Sequence, residues 1–144
     1  MSHRKRVLIV CTGNSARSQM AEGLLRHRAG DQFEVFSAGT IPQPVRTEAI
    51  AAMREIGIDI SSQRSKSIDE FAGQQFDYVL TVCDNARESC PVVLVKSAVI
   101  HHSFADPAAV LGDERERLAA FRQVRDRLRE YLQTFPPEHG QTAT

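Results

Sequence analysis

The chain has 144 residues, 18 basic and 18 acidic, enough for one domain with its own core and no net charge to recruit nucleic acid or membrane. Near the N-terminus the longest apolar run is Val7 to Val10, too short for a signal peptide or a membrane span, and the basic stretch Met1 to Arg6 is too short for a nucleic-acid arm. A cytoplasmic chain is therefore expected, in which three cysteines serve catalytic or redox chemistry and not a structural disulfide framework.

Val7-Leu8-Ile9-Val10, three of the four β-branched, reads as a buried strand that empties into the polar loop Cys11 to Ser18. A helix is expected from Ala16 to about Arg28, with Met20, Leu24 and Leu25 on one face and Gly30-Asp31 as its stop. Phe33 to Phe36 makes a second strand ending at Ser37-Ala38-Gly39-Thr40, after which Pro42 and Pro44 force an extended connection. Ile50, Met53 and Ile56 recur at helical spacing within Val45 to Ile56, and Gly57 suits the residue just past the helix end. Ile58 to Gln63 reads as a turn and Ser67 to Ala72 as a short helix. Asp77 to Val82 is a third strand running into Cys83, and Ser97 to Ile100 a fourth. A last helix covers Asp113 to Thr134, burying Leu118, Phe121, Val124, Leu128 and Tyr131 or Leu132, with its charged face read as a solvated surface. Residues 1–134 then form the domain, and 135–144 read as a disordered tail.

Strands alternating with helices predict an α/β fold: a single three-layer domain with a four-stranded parallel sheet flanked by helices, in a flavodoxin-like winding. Ligands in such sheets bind at the carboxyl ends of strands, which is where both Cys11 and Cys83 fall.

The strand–loop–helix turn gathers backbone N–H groups and the positive end of a helix dipole around one point. A cysteine there is expected to be held as thiolate, while Arg17 closes a bidentate fork on a tetrahedral oxyanion. Thr12, Gly13, Asn14, Ser15, Ala16, Arg17 and Ser18 are thus the expected oxyanion-binding residues. Gly13 permits close backbone approach, Asn14 tolerates a left-handed conformation, and Ser18 either caps the helix or donates to the thiolate. A buried cysteine above an ordinary turn is the bland alternative, but it leaves Gly13, Asn14, Arg17 and Ser18 unexplained together.

Six residues separate Cys83 from Cys90, a spacing that a mobile polar loop can close into a transient disulfide. Two unrelated thiols would show the same spacing. Asp106-Pro107 offers a carboxyl near a bound oxyanion for proton transfer, or simply a turn cap. His101 and His102 are adjacent on extended chain and point opposite ways, so packing or exposure is expected of them. A zinc-binding regulatory module built from Cys83, Cys90, His101 and His102 is a further alternative, although the spacing misses the usual zinc pattern.

Cys11-Thr12-Gly13-Asn14-Ser15-Ala16-Arg17-Ser18, with Ser37-Ala38-Gly39-Thr40 and the late Asp106-Pro107, resembles the low-molecular-weight tyrosine phosphatase superfamily. Within it, Thr81 to Ala86, Cys90-Pro91 and His101 to Ala108 are similar to the thioredoxin-coupled arsenate reductases, and the likeness runs from about Val7 to Leu132. The resemblance implies no cofactor and no metal, with Cys11 attacking arsenate and Asp106 protonating the departing oxygen. It further implies that a Cys11–Cys83 disulfide forms as arsenite leaves, and that Cys90 then draws it out as a Cys83–Cys90 disulfide for thioredoxin. Phosphate and sulfate would compete for the loop, and a monomer is the default. Glutaredoxin or another thiol is the other possible reductant.

Three departures accompany the resemblance. Ala16 stands where many relatives have another cysteine, outside the relay. Gln19 replaces the proline that usually follows Arg-Ser in the phosphatase branch. Some reductases bind a monovalent cation near positions matching Asn14, Glu22 and Ser37, with an aspartate in the segment around Ser65 to Ser67, where this chain has Lys66, implying no potassium requirement. The phosphatase branch, using Cys11, Arg17 and Asp106 without redox chemistry, remains the alternative enzyme. It usually has aromatic residues after Asp-Pro, where this chain has Ala108 and Ala109.

Overall fold

The structure, a computed structural model, describes residues 4–83 and 98–136. Strand β1 (Lys5–Cys11) pairs in parallel with β2 (Phe33–Gly39) on one side and β3 (Tyr78–Thr81) on the other. β4 (Ala98–His101) joins β3, giving the order β2-β1-β3-β4. This is the expected four-stranded parallel α/β sheet. Parallel sheets are covered on both faces, and Val7, Leu8, Ile9 and Val10 are accordingly fully buried. That is why the strand reads as a continuous apolar run with no alternation.

Register assigns the two faces. Val7 lies beside Val35 and Tyr78, so these three share one face, and Leu8, Phe36 and Val79 share the other. On the first face sit the helices α1 (Arg17–Ala29) and α3 (Glu114–Leu132), which pack on each other. Phe135, just beyond α3, closes edge-to-face on Phe33 and Tyr78. On the second face Phe36 meets Phe71 and Phe76 in a triangle of edge contacts. A 3-10 turn, Ile68–Phe71, delivers Phe71, capped by Ser67 Oγ accepting from the Asp69 amide.

The element ends differ from the sequence reading for identifiable reasons. β1 starts two residues early because Arg6 lays its guanidinium over Phe36 and Phe76, 4.9 and 4.5 Å from the ring centroids, and so tolerates a strand position. β3 is shorter than Asp77 to Val82, although the amides of Asp77 and Val82 still donate to Arg6 O and Val10 O of β1, and the Asp77 carboxylate takes the Arg6 amide. α2 is Thr47–Arg54, not Val45 to Ile56: Arg46 is extended, and Gly57 takes the left-handed φ of +81° expected past a helix end. Ile58 N–H then bonds back to Met53 O.

Two expectations need correction. α1 is not a simple amphipathic helix, because Ser18, Gln19 and Glu22 are buried with Met20, Leu24 and Leu25. The charged side of α3 is not merely solvated either. Arg125 is 8% exposed and donates to Ala52 O and Glu55, Arg122 pairs with Glu55, and Arg117 pairs with Glu48. α2 buries only Ala49, Ala52 and Met53, so ion pairs complete its seam with α3. α3 opens with a capping box between Asp113 and Glu116, and it buries Phe121, Val124, Leu128 and Leu132. Phe135, placed in the expected tail, is buried in the core, while 137–144 lie outside the described residues.

Candidate active site

The loop from Cys11 to Arg17 is shaped by where its carbonyls go. The amides of Thr40, Ile41, Gln43 and Arg46 donate to the carbonyls of Cys11, Thr12, Gly13 and Ser15, at 3.3, 2.8, 2.8 and 2.9 Å. Pro42 and Pro44 fall between these donors, at positions that need supply no N–H. A peptide is planar with its C=O and N–H opposed, so carbonyls drawn outward turn the following amides inward. Ala16 at the start of α1 offers no side-chain cap, leaving the first helix amides to the loop.

Donors converge on Cys11 Sγ. The Asn14 amide reaches it at 3.3 Å and Ser18 Oγ at 3.0 Å. Ser18 Oγ accepts from Asn14 Nδ2 at 2.8 Å, which leaves its own proton for the sulfur. Of the two roles expected for Ser18, the structure therefore shows contact with Cys11, not helix capping. Asn14 adopts the left-handed conformation expected of it, φ +48°, and its side chain also bonds Ser37 Oγ and the Lys66 amide.

Arg17 Nη1 donates to Phe104 O at 3.0 Å, and Nη2 lies 3.7 Å from Asp106 Oδ2. The Asp106 loop is thereby tied to the guanidinium. Asp106 Oδ1 also accepts from the Ala108 amide at the start of the 3-10 turn Pro107–Ala109, so Asp106 is both a turn cap and a neighbour of the Arg17 guanidinium. Cys83 is buried at the adjacent strand end, its Sγ 3.1 Å from Thr12 Oγ1. Cys90 lies outside the described residues.

A model of the low molecular weight phosphotyrosine protein phosphatase family matches residues 6–140. The chain belongs to this family. Among curated relatives, an arsenate reductase from Halalkalibacterium halodurans is 43% identical over 133 residues, covering 92% of this chain and 96% of that protein. A solved structure described as an arsenate reductase in the phosphate binding state superposes with a TM-score of 0.72 at 35% identity, covering 90% and 94% of the two chains. A low molecular weight protein tyrosine phosphatase from T. tengcongensis gives 0.74 at 26% identity, covering 90% and 95%.

In this member of the phosphatase family His101 is half-buried and hydrogen-bonded, and His102 is exposed against aromatic neighbours. His101 Nδ1 meets Thr81 Oγ1 at 2.7 Å, and His102 stacks on Phe104 and tilts against Tyr131. No group of three metal-ligating side chains occurs among the described residues. Behind the loop, Ser37 Oγ donates to Glu22, which also pairs with Arg26. Lys66, its side chain 12% exposed, places Nζ 3.9 Å from Glu22 Oε1 and donates to Arg64 O. Burial pushes the Lys66 ammonium below its usual range, and the Glu22 charge opposes that.

Close backbone approach is expected at Gly13, but a Cβ there would meet only the side chains of Ser15 and Gln43, at 3.2 Å and beyond. Gly39 is the position that admits nothing larger: an added Cβ would stand 2.6 Å from Thr12 O and 2.9 Å from the Asn14 amide. Gln19, read only as a missing proline, is fully buried and hydrogen-bonded to the loop. Its signal was a polar residue one turn before Gly23 on a helix whose apolar face is narrow.

Proposed function

We propose that this chain reduces arsenate to arsenite through Cys11, Cys83 and Cys90, with thioredoxin restoring the thiols. The observation that carries the reading is the second buried thiol: Cys83 Sγ sits 3.1 Å from Thr12 Oγ1, on the loop that holds Cys11. Hydrolysis of a phosphoester by Cys11, Arg17 and Asp106 has no use for a thiol there.

The loop amides and Arg17 hold the oxyanion, and Cys11 Sγ attacks arsenic, forming an S–As bond as Asp106 gives a proton to the oxygen leaving as water. Cys83, deprotonated, then attacks Cys11 Sγ. An S–S bond forms, the S–As electron pair passes to arsenic, and As(V) leaves as arsenite, As(III). Cys90 attacks Cys83 Sγ, releasing Cys11 as thiolate and leaving a Cys83–Cys90 disulfide. The dithiol of thioredoxin takes up that disulfide by two further exchanges.

The test is a coupled assay in which purified protein, arsenate, thioredoxin, thioredoxin reductase and NADPH are mixed and NADPH loss is followed. The wild type turns over, and Cys11→Ser, Cys83→Ser and Cys90→Ser each stop multiple turnover. A Cys90→Ser protein that cycles normally overturns the relay.

A further inference from the structure

The 40–46 connection binds four of the five carbonyls from Cys11 to Ser15; the one it does not take is that of Asn14. That carbonyl lies in a fully buried residue, where an unmade bond is costly. Gln19 Nε2 supplies it at 3.0 Å, and donates equally to Arg64 O at 3.0 Å. Gln63 Nε2 donates to Gln19 Oε1 at 2.7 Å and to Gln19 O at 3.1 Å, fixing which end of the amide faces the loop. Both Gln19 N–H groups are thus spent on carbonyls and its oxygen on a donor. Glutamate lacks the donors, and a hydrocarbon lacks both functions.

We infer that Gln19 is a positioning residue for the oxyanion loop, acting through the Asn14–Ser15 peptide. Pinning the Asn14 carbonyl on the outer side turns the Ser15 N–H toward the loop interior, because the peptide is planar. It also fixes the left-handed turn that aims the Asn14 amide at Cys11 Sγ. The inference rests on the reading of this loop as the oxyanion site, and it names a residue outside the loop that sets that site's geometry.

Gln19→Met keeps length and helix preference while removing the donors. Phosphate binding, followed by titration without arsenate or reductant, is expected to weaken about five- to tenfold, as for one buried hydrogen bond. The arsenate KM rises by a similar factor while kcat stays within about twofold, since the later exchanges at Cys83 do not use the Asn14 carbonyl. Phosphate affinity and KM equal to wild type, with only a lowered melting temperature, would overturn the assignment. Should Gln19→Met fail to fold, Gln63→Met releases only the outer anchor of the amide. It is expected to weaken phosphate about two- to threefold, and unchanged binding would sink the idea. Because the readout is anion binding, a wild type inert toward arsenate would defeat the proposed reaction without touching this inference.

Discussion

Asn14 and Ser18 form one device: the Asn14 side-chain amide donates to Ser18 Oγ at 2.8 Å, which frees the serine proton for Cys11 Sγ at 3.0 Å. A donor to a nucleophilic sulfur is a charge-assisted bond once the sulfur is anionic. Ser18→Ala should therefore slow the first attack about ten- to a hundredfold, the range for losing a bond to a charged group. The measurement is alkylation of Cys11 by iodoacetamide in a Cys83→Ser, Cys90→Ser background, together with kcat/KM for arsenate. A wild-type alkylation rate would contradict the orientation given to the Ser18 hydroxyl.

Gly39 faces the outside of the same loop. Its substitution by alanine sets a methyl against the Thr12 carbonyl at 2.6 Å, so either the loop or β2 must shift. Gly39→Ala is expected to cost about 1–3 kcal/mol in a urea melt and to weaken phosphate binding. Gly13→Ala, which meets only side chains, should do less on both counts. The reverse ranking would contradict the geometry.

Lys66 holds an ammonium group beside Glu22, so added potassium should find no role. Potassium and sodium at equal concentration should give kcat/KM within about twofold and the same melting temperature, because a cation bound only by the folded state would raise it. Folding lowers the Lys66 value, so the folded protein binds fewer protons than the unfolded chain as pH rises toward 10.5. Wild type should therefore gain stability relative to Lys66→Met across the alkaline range below 10.5. A flat difference between their melting curves against pH would contradict the burial of this charge.

The seam between α2 and α3 gives an acid-side prediction. A backbone hydrogen bond and the Arg117 guanidinium hold Glu48 below its ordinary 4.5, and hydrogen bonds from Arg122 and then Arg125 do the same for Glu55. Depressed carboxylates stabilise the fold above 4.5 and lose that contribution as pH falls below it. Stability measured by urea melts should drop below pH 4.5, less steeply in Glu48→Gln. Arg125→Met, which strands the Ala52 carbonyl, should cost about 2 kcal/mol at neutral pH.

The parallel sheet was legible because β1 is apolar without alternation, and the strand–loop–helix turn because Cys11, Gly13, Asn14, Arg17 and Ser18 cluster at a strand end. What escaped were residues whose role depends on distant partners. Gln19 meets Arg64, and Gly39 meets Thr12, contacts that no local periodicity announces. Arg125 sits on a helix face rich in charge, and only the short apolar side of α2 turns it inward. Asp106 reads in the sequence as a turn cap or a proton donor; in the structure one carboxylate oxygen caps the turn and the other faces the Arg17 guanidinium, a partner that no local pattern announces.

The central claim is that Cys83 turns an oxyanion-holding thiol site toward reduction. One single-turnover experiment on Cys83→Ser, without thioredoxin, tests it most directly by measuring arsenite released from arsenate alongside hydrolysis of an aryl phosphate. The account predicts no arsenite above background and aryl phosphate hydrolysis within about twofold of wild type, because Cys11, Arg17 and Asp106 are untouched. Arsenite released by Cys83→Ser at the wild-type rate would contradict it.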